Sequence, residues 1–136
     1  GVPLRLEIGP KDIEANQCVL VRRDNREKLT VSLDQLETAI PAALRAVRNG
    51  LYEKALKNRE ERTFTAHNWE EFLDIANNRS GFIKTMWCGD VECENKIKEL
   101  TNIKSRCIPF EEERIGDACV CCGKPAKHML YWGRQY

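Results

Sequence analysis

The sequence predicts an α/β chain in two parts: a partial mixed sheet leading into a long helix, then a small α+β unit. Three observations carry this expectation. Val2, Leu4, Leu6 and Ile8 alternate with Pro3, Arg5 and Glu7, the two-residue period of a half-buried strand. Leu33, Leu36, Ile40, Ala43, Leu44, Val47, Leu51, Ala55 and Leu56 recur at helical spacing. After the polar run Arg59-Glu60-Glu61-Arg62, short apolar runs alternate with helical patterns among clustered cysteines. The parts are expected at residues 1–64 and 65–136.

Gly9-Pro10 ends the first strand. Cys18 to Val21 reads as a second strand, Asp24-Asn25 as a turn, and Lys28 to Val31 as its hairpin partner. Ser32 is placed to cap the long helix, with Gln35 as capping-box partner. Pro41 either kinks that helix or opens a second one. The helical stripe is expected to pack against the preceding strands. Asn68 can cap a helix carrying Trp69, Phe72, Leu73 and Ala76, which Gly81 closes. Strands follow at Phe82 to Trp87, Cys107 to Phe110 and Lys127 to Trp132, with a helix from Val91 to Leu100 between the first two.

The 136 residues are 42% apolar and 32% charged, which excludes a disordered chain. No apolar run approaches the roughly 20 residues of a membrane helix, and no secretory signal is present. The chain opens Gly1-Val2-Pro3 without an initiator Met, inside an alternating pattern, and is read as a piece of something longer. A net charge of +1 argues against a strongly basic nucleic-acid coat but leaves room for local patches. Arg22, Arg23, Arg26 and Lys28 crowd one hairpin turn.

Seven cysteines without a secretory signal point away from a disulfide framework and towards metal in a reducing compartment, with the cytoplasm as default. Cys88 and Cys93 are separated by four residues, and Cys119 and Cys122 by two, both within the spacing of tetrahedral zinc ligand pairs. Close spacing is needed because two sulfurs must each sit about 2.3 Å from one ion while the backbone turns around it. Gly89 and Gly123 let the chain curl beside their cysteines. Cys121 competes with Cys122 as fourth ligand; the two-residue gap and the following glycine favour Cys122. Cys18 and Cys107 fall in apolar strand patterns and read as core thiols. His128 reads as a strand residue, with a ligand role as the alternative. Four thiolates leave no open coordination position, so such an ion is structural. No phosphate-cradling glycine loop and no nucleophile signature is present in the sequence.

Gly1-Val2-Pro3-Leu4-Arg5-Leu6-Glu7-Ile8-Gly9-Pro10-Lys11-Asp12 resembles the later strands of the anticodon-binding domain of prolyl-tRNA synthetase. Trp87-Cys88-Gly89-Asp90, Arg106-Cys107-Ile108-Pro109-Phe110 and Gly133-Arg134-Gln135-Tyr136 resemble the C-terminal zinc domain of its eukaryote- and archaeon-type members. The resemblance runs in order along nearly the whole chain. It implies the end of an anticodon-binding domain followed by a zinc-binding domain, in a class II synthetase whose catalytic domain lies upstream. It further implies an enzyme that activates proline with ATP and Mg²⁺, esterifies it onto tRNA(Pro), works as a homodimer, and has no membrane partner.

Residue by residue, Arg5 matches the arginine that hydrogen-bonds an anticodon guanine, a pairing suited to guanine O6 and N7. Lys28 is the candidate for a second basic contact, with Arg22 and Arg23 behind it. The zinc ligands implied are Cys88, Cys93, Cys119 and Cys122, although members have either one or two residues within the second pair, which keeps Cys121 in play. Tyr136 matches a terminal tyrosine whose carboxylate is directed toward the active site. The competing expectation is a free-standing zinc-stabilised module that binds protein or RNA.

Overall fold

The computed structural model describes residues 1–135. Two compact units divide after Lys57, inside the long helix and ahead of the polar run that suggested the boundary. Residues 58–65 join the second unit because a strand there pairs with that unit's sheet. The expected role of Tyr136 lies outside the described residues.

The first unit holds β1 (Leu4–Glu7), the short helix α1 (Pro10–Glu14), β2 (Gln17–Arg22) and β3 (Lys28–Ser32). The strands form an antiparallel sheet in the order β1-β2-β3. Alternation along β2 sends Cys18 and Leu20 into a core completed by Ala43, Leu36, Ala39 and Ile40. Those four belong to α2 (Leu36–Glu61), a continuous helix with Pro41 inside it. The ring sits early in the helix, and the carbonyl whose hydrogen bond it deletes belongs to exposed Glu37, within reach of water. Ser32 precedes a single 3₁₀ turn, Leu33–Gln35, and makes no side-chain capping bond. The helical stripe covers the strands only in its first half: Leu44, Leu51 and Tyr52 are exposed.

One contact ties the hairpin to α2. The Arg22 guanidinium pairs with Asp24 at 2.6 Å and Glu27 at 2.9 Å, and donates to the Ala46 carbonyl at 3.2 Å. Gly50 makes room for it, since a Cβ there would stand 2.7 Å from the Asp24 carboxylate. The Asp24 hydrogen bond holds the Arg22 pKa above its ordinary value and lowers that of Asp24.

The second unit contains β4 (Thr63–Thr65), α3 (Trp69–Asn78), β5 (Phe82–Trp87), α4 (Val91–Thr101), β6 (Ile103–Cys107) and β7 (His128–Arg134). They form a mixed sheet in the order β4-β5-β7-β6, parallel between β4 and β5 and antiparallel elsewhere. Asn68 caps α3 by accepting from the Glu71 N–H. The helix stops at Asn78, earlier than Gly81. Gly81 instead starts β5 at φ +148°, where a Cβ would lie 2.0 Å from the Arg62 carbonyl oxygen.

Ile83, Leu130, Trp132, Phe72, Ile97 and Ile103 make the core. Trp132 donates its indole N–H to Thr85 at 2.8 Å, and both residues are fully buried. Trp132 also meets Phe72 edge-on at 6.2 Å, a favoured aromatic geometry.

The expected strand at Cys107 to Phe110 is displaced: β6 ends at Cys107, with a bulge between Ser105 and Cys107. Pro109 has no N–H for a ladder, and Phe110 stands fully exposed. Cys107 is consequently exposed and not a core thiol, whereas Cys18 is fully buried.

Candidate metal centre and nucleic-acid face

Three segments converge on one cluster in the second unit. Cys88 follows β5 directly. Asp90 caps α4 by accepting from the Glu92 N–H, and this fixes Cys93 in the first turn. Cys119 and Cys122 lie in a tight turn closed by Cys119 N–H to Lys124 O at 2.8 Å and Gly123 N–H to Cys119 O at 2.9 Å. Gly89 and Gly123 adopt φ of +88° and +72°, conformations that favour glycine. The turn is fastened to the end of β5 by Val120 N–H to Met86 O and Lys127 N–H to Trp87 O.

The sulfurs of Cys88, Cys93, Cys119 and Cys122 all lie within 4.8 Å of one another. Cys88 and Cys93 are 3.7 Å apart, and Cys88 and Cys122 3.8 Å. A regular tetrahedron with metal–sulfur bonds of about 2.3 Å has edges of about 3.8 Å, so the thiols fit a four-coordinate ion with little rearrangement. Cys88, Cys93 and Cys119 are buried, while Cys122 is exposed at the rim. Burial raises the Cys88 and Cys93 thiol pKa values, whereas the Lys124 backbone N–H lowers that of Cys122. Buried thiols of this kind keep their protons unless a cation takes their place.

Cys121 is half-buried and packs beside the cluster without belonging to the set of four. Spacing favoured Cys122 over Cys121, and it is the Cys122 sulfur that lies within 4.8 Å of the other three. His128 is also outside the set, directed to the Glu112 carboxylate at 3.2 Å.

In the first unit the register places Arg5 opposite Val21, and Val21 opposite Lys28. Directly paired residues share a face of the sheet, so Arg5 and Lys28 project together on the side opposite Leu20. Both side chains are about two-thirds exposed, at 64% and 66%. Glu7 lies between them, 2.5 Å from Arg5 and 4.0 Å from Lys28.

Arg22, one residue from Val21, points the other way. Only 14% of its side chain is exposed, and its donors are spent on Asp24, Glu27 and Ala46. Arg23 is exposed and donates to the Gly1 carbonyl at 2.9 Å. A shallow depression on this side is lined by Val2, Arg5, Val21, Arg22, Arg23, Arg26 and Lys28. Arg26 joins it through the left-handed backbone of the hairpin turn, φ +64°, which sequence spacing does not reveal.

A sheet face carrying paired outward cations, and a separate cluster of four cysteines able to hold a metal ion, suit a chain that recognises nucleic acid. Comparison with known proteins places it more closely. The anticodon-binding domain family matches residues 1–43, and the family described as "Prolyl-tRNA synthetase, C-terminal" matches residues 69–136. The proline–tRNA ligase of Clostridium novyi (strain NT) is 59% identical over all 136 residues, and that of Lachnospira eligens is 57% identical over the same span. A crystal structure of prolyl-tRNA synthetase from Cryptosporidium parvum, complexed with L-proline and AMP, superposes on the entire chain with a TM-score of 0.90 at 36% identity. The chain belongs to the prolyl-tRNA synthetase family, as its C-terminal, anticodon-binding part. It spans 28% of the length of those relatives and 29% of the crystal structure's chain, and lacks their catalytic core.

Proposed function

We propose that this chain supplies tRNA recognition and a structural zinc brace to an enzyme that ligates proline to tRNA(Pro) with ATP. The observation that carries the reading is the exposed Arg5–Val21–Lys28 row on the face of the sheet turned away from α2. Arg5 reads an unpaired anticodon guanine through O6 and N7, and Glu7 orients its guanidinium from 2.5 Å. Lys28 and Arg23 add positive charge for the phosphate backbone. Arg22 holds the hairpin on α2 through Asp24 and the Ala46 carbonyl.

Cys88, Cys93, Cys119 and Cys122 hold Zn²⁺. The bound ion adds folding free energy to a turn-rich region and no reactive position. Proline, ATP and Mg²⁺ are handled by a catalytic domain outside these residues, in a cytoplasmic homodimer.

The test is Arg5→Ala in the full-length enzyme. One bidentate guanine contact is worth about 1–3 kcal/mol, so kcat/KM for tRNA(Pro) is expected to fall about tenfold or more. Proline-dependent exchange of pyrophosphate into ATP should be unaffected. Unchanged charging kinetics would refute the assignment.

A further inference from the structure

The fifth sulfur beside the cluster has no part in the four-thiol site. Cys121 packs against the cluster of Cys88, Cys93 and Cys119. Cys122, the ligand it adjoins in sequence, is the exposed member of the four, while the other three are buried. The cluster therefore combines three enclosed sulfurs, one rim sulfur open to solvent, and one spare sulfur already on its inner side.

The turn carrying both residues is suited to an exchange. Its anchors are the backbone of Cys119 and Val120 at one end and of Lys124 and Ala126 at the other. A Cβ on Gly123 would meet nothing within 4 Å, so the tip after Cys122 faces open space and is held by the Gly123 N–H to Cys119 O hydrogen bond. Moving the peptide between Cys121 and Cys122 can replace one sulfur by the other while Cys88, Cys93 and Cys119 stay in place.

We infer that Cys121 is a standby zinc ligand, which takes the fourth position when the Cys122 sulfur is lost to the ion. The exchange rests on the zinc reading above. It is a substitution of one thiolate for another: a zinc–sulfur bond to Cys122 breaks, one to Cys121 forms, and the Cys121 proton passes to the departing sulfur or to water. No oxidant or reductant is consumed. The consequence is a site whose exposed ligand can be alkylated without release of the ion.

The experiment uses the full-length protein and its Cys121→Ser, Cys122→Ser, Cys121→Ser/Cys122→Ser and Cys93→Ser variants. Bound zinc is measured by elemental analysis and its affinity by chelator competition. Cobalt is substituted to follow thiolate-to-metal charge transfer, which grows with the number of sulfur ligands. Either single variant at residues 121 and 122 should keep about one zinc per chain, with affinity within about tenfold of the parent and a four-thiolate cobalt spectrum. The double variant should lose affinity by about 100-fold or more, like Cys93→Ser. If Cys122→Ser already behaves like the double variant, or shows a three-thiolate spectrum, the standby role is overturned. If the parent protein itself holds no zinc, the metal reading fails, and that failure is distinguishable from the loss of the exchange alone.

Discussion

The sulfurs of Cys88 and Cys122 lie 3.8 Å apart although the two residues are 34 positions apart along the chain. Helix α4, strand β6 and the loop through Glu111, Glu112 and Glu113 are the intervening segments, and β5 and the Cys119–Cys122 turn hold the two ends together. Removal of the ion should therefore be felt locally. Chelation of the full-length protein is expected to abolish hydrogen-exchange protection through the 82–135 region while α2 retains it. Undiminished protection after complete zinc removal would exclude a structural role.

The buried Trp132–Thr85 hydrogen bond makes a second prediction. Thr85→Val keeps the volume but leaves the indole N–H unpaired in the core. An unsatisfied buried donor costs about 1–3 kcal/mol, which denaturant titration should detect. Trp132→Phe in the Thr85→Val background should cost less than the two single substitutions combined, because both partners are then gone. Additive losses would show that the hydrogen bond contributes nothing.

Arg5 and Arg22 should separate recognition from stability. Arg22→Ala removes the link from the hairpin to the Ala46 carbonyl and strands Asp24, so a lower melting temperature is expected. Arg5→Ala, on the exposed face, should leave melting unchanged while weakening tRNA(Pro) charging. A reversed pattern would mean that the two arginines have exchanged roles.

Glu112 gives a pH dependence. Its carboxylate accepts the Met129 N–H at 2.8 Å and faces His128 at 3.2 Å. The Met129 bond, then His128, lowers its pKa below the ordinary 4.5. Its stabilisation is thus present above the unfolded pKa and fades as pH falls from there through the folded value. Wild type should lose stability across that acidic window more steeply than Glu112→Gln. Parallel curves through the acid range would deny Glu112 this role.

Gly81 is expected to tolerate no side chain. A Cβ would lie 2.0 Å from the Arg62 carbonyl oxygen, at a backbone φ of +148°. Gly81→Ala should detach β4 from β5 and destabilise the second unit, by about 1–3 kcal/mol from backbone strain. Wild-type exchange rates for the Phe82 amide, which donates to Arg62 O at 2.8 Å, would argue against this.

Much of this molecule is legible from residue order because the relevant physics is local. The two-residue period around Leu4 and Leu20 and the capping of α3 by Asn68 need only near neighbours. The spacings Cys88–Cys93 and Cys119–Cys122 also identify two ligand pairs before any fold is known. The long helix was legible too, but not what it covers: Leu44 and Leu51 follow the same period as buried Ala43 and Val47, yet stand exposed. Periodicity states that a face is apolar and not whether anything lies against it.

Other features depend on contacts between distant segments. The β6 residues Ile103–Cys107 read as polar and are strand only because β7 supplies a partner. Arg22 and Lys28 look equivalent in a basic turn; the pleat sends one toward α2 and the other toward solvent. Local sequence determined the elements, their periods and a thiolate site of two close pairs, since propensity and ligand spacing act over a few residues. Tertiary structure decided which cations stand exposed and which is tied to α2, and brought the sulfurs of Cys88, Cys93, Cys119 and Cys122 within 4.8 Å of one another. Those choices rest on side-chain direction, set by pairing and turn closure between segments that the linear order keeps apart.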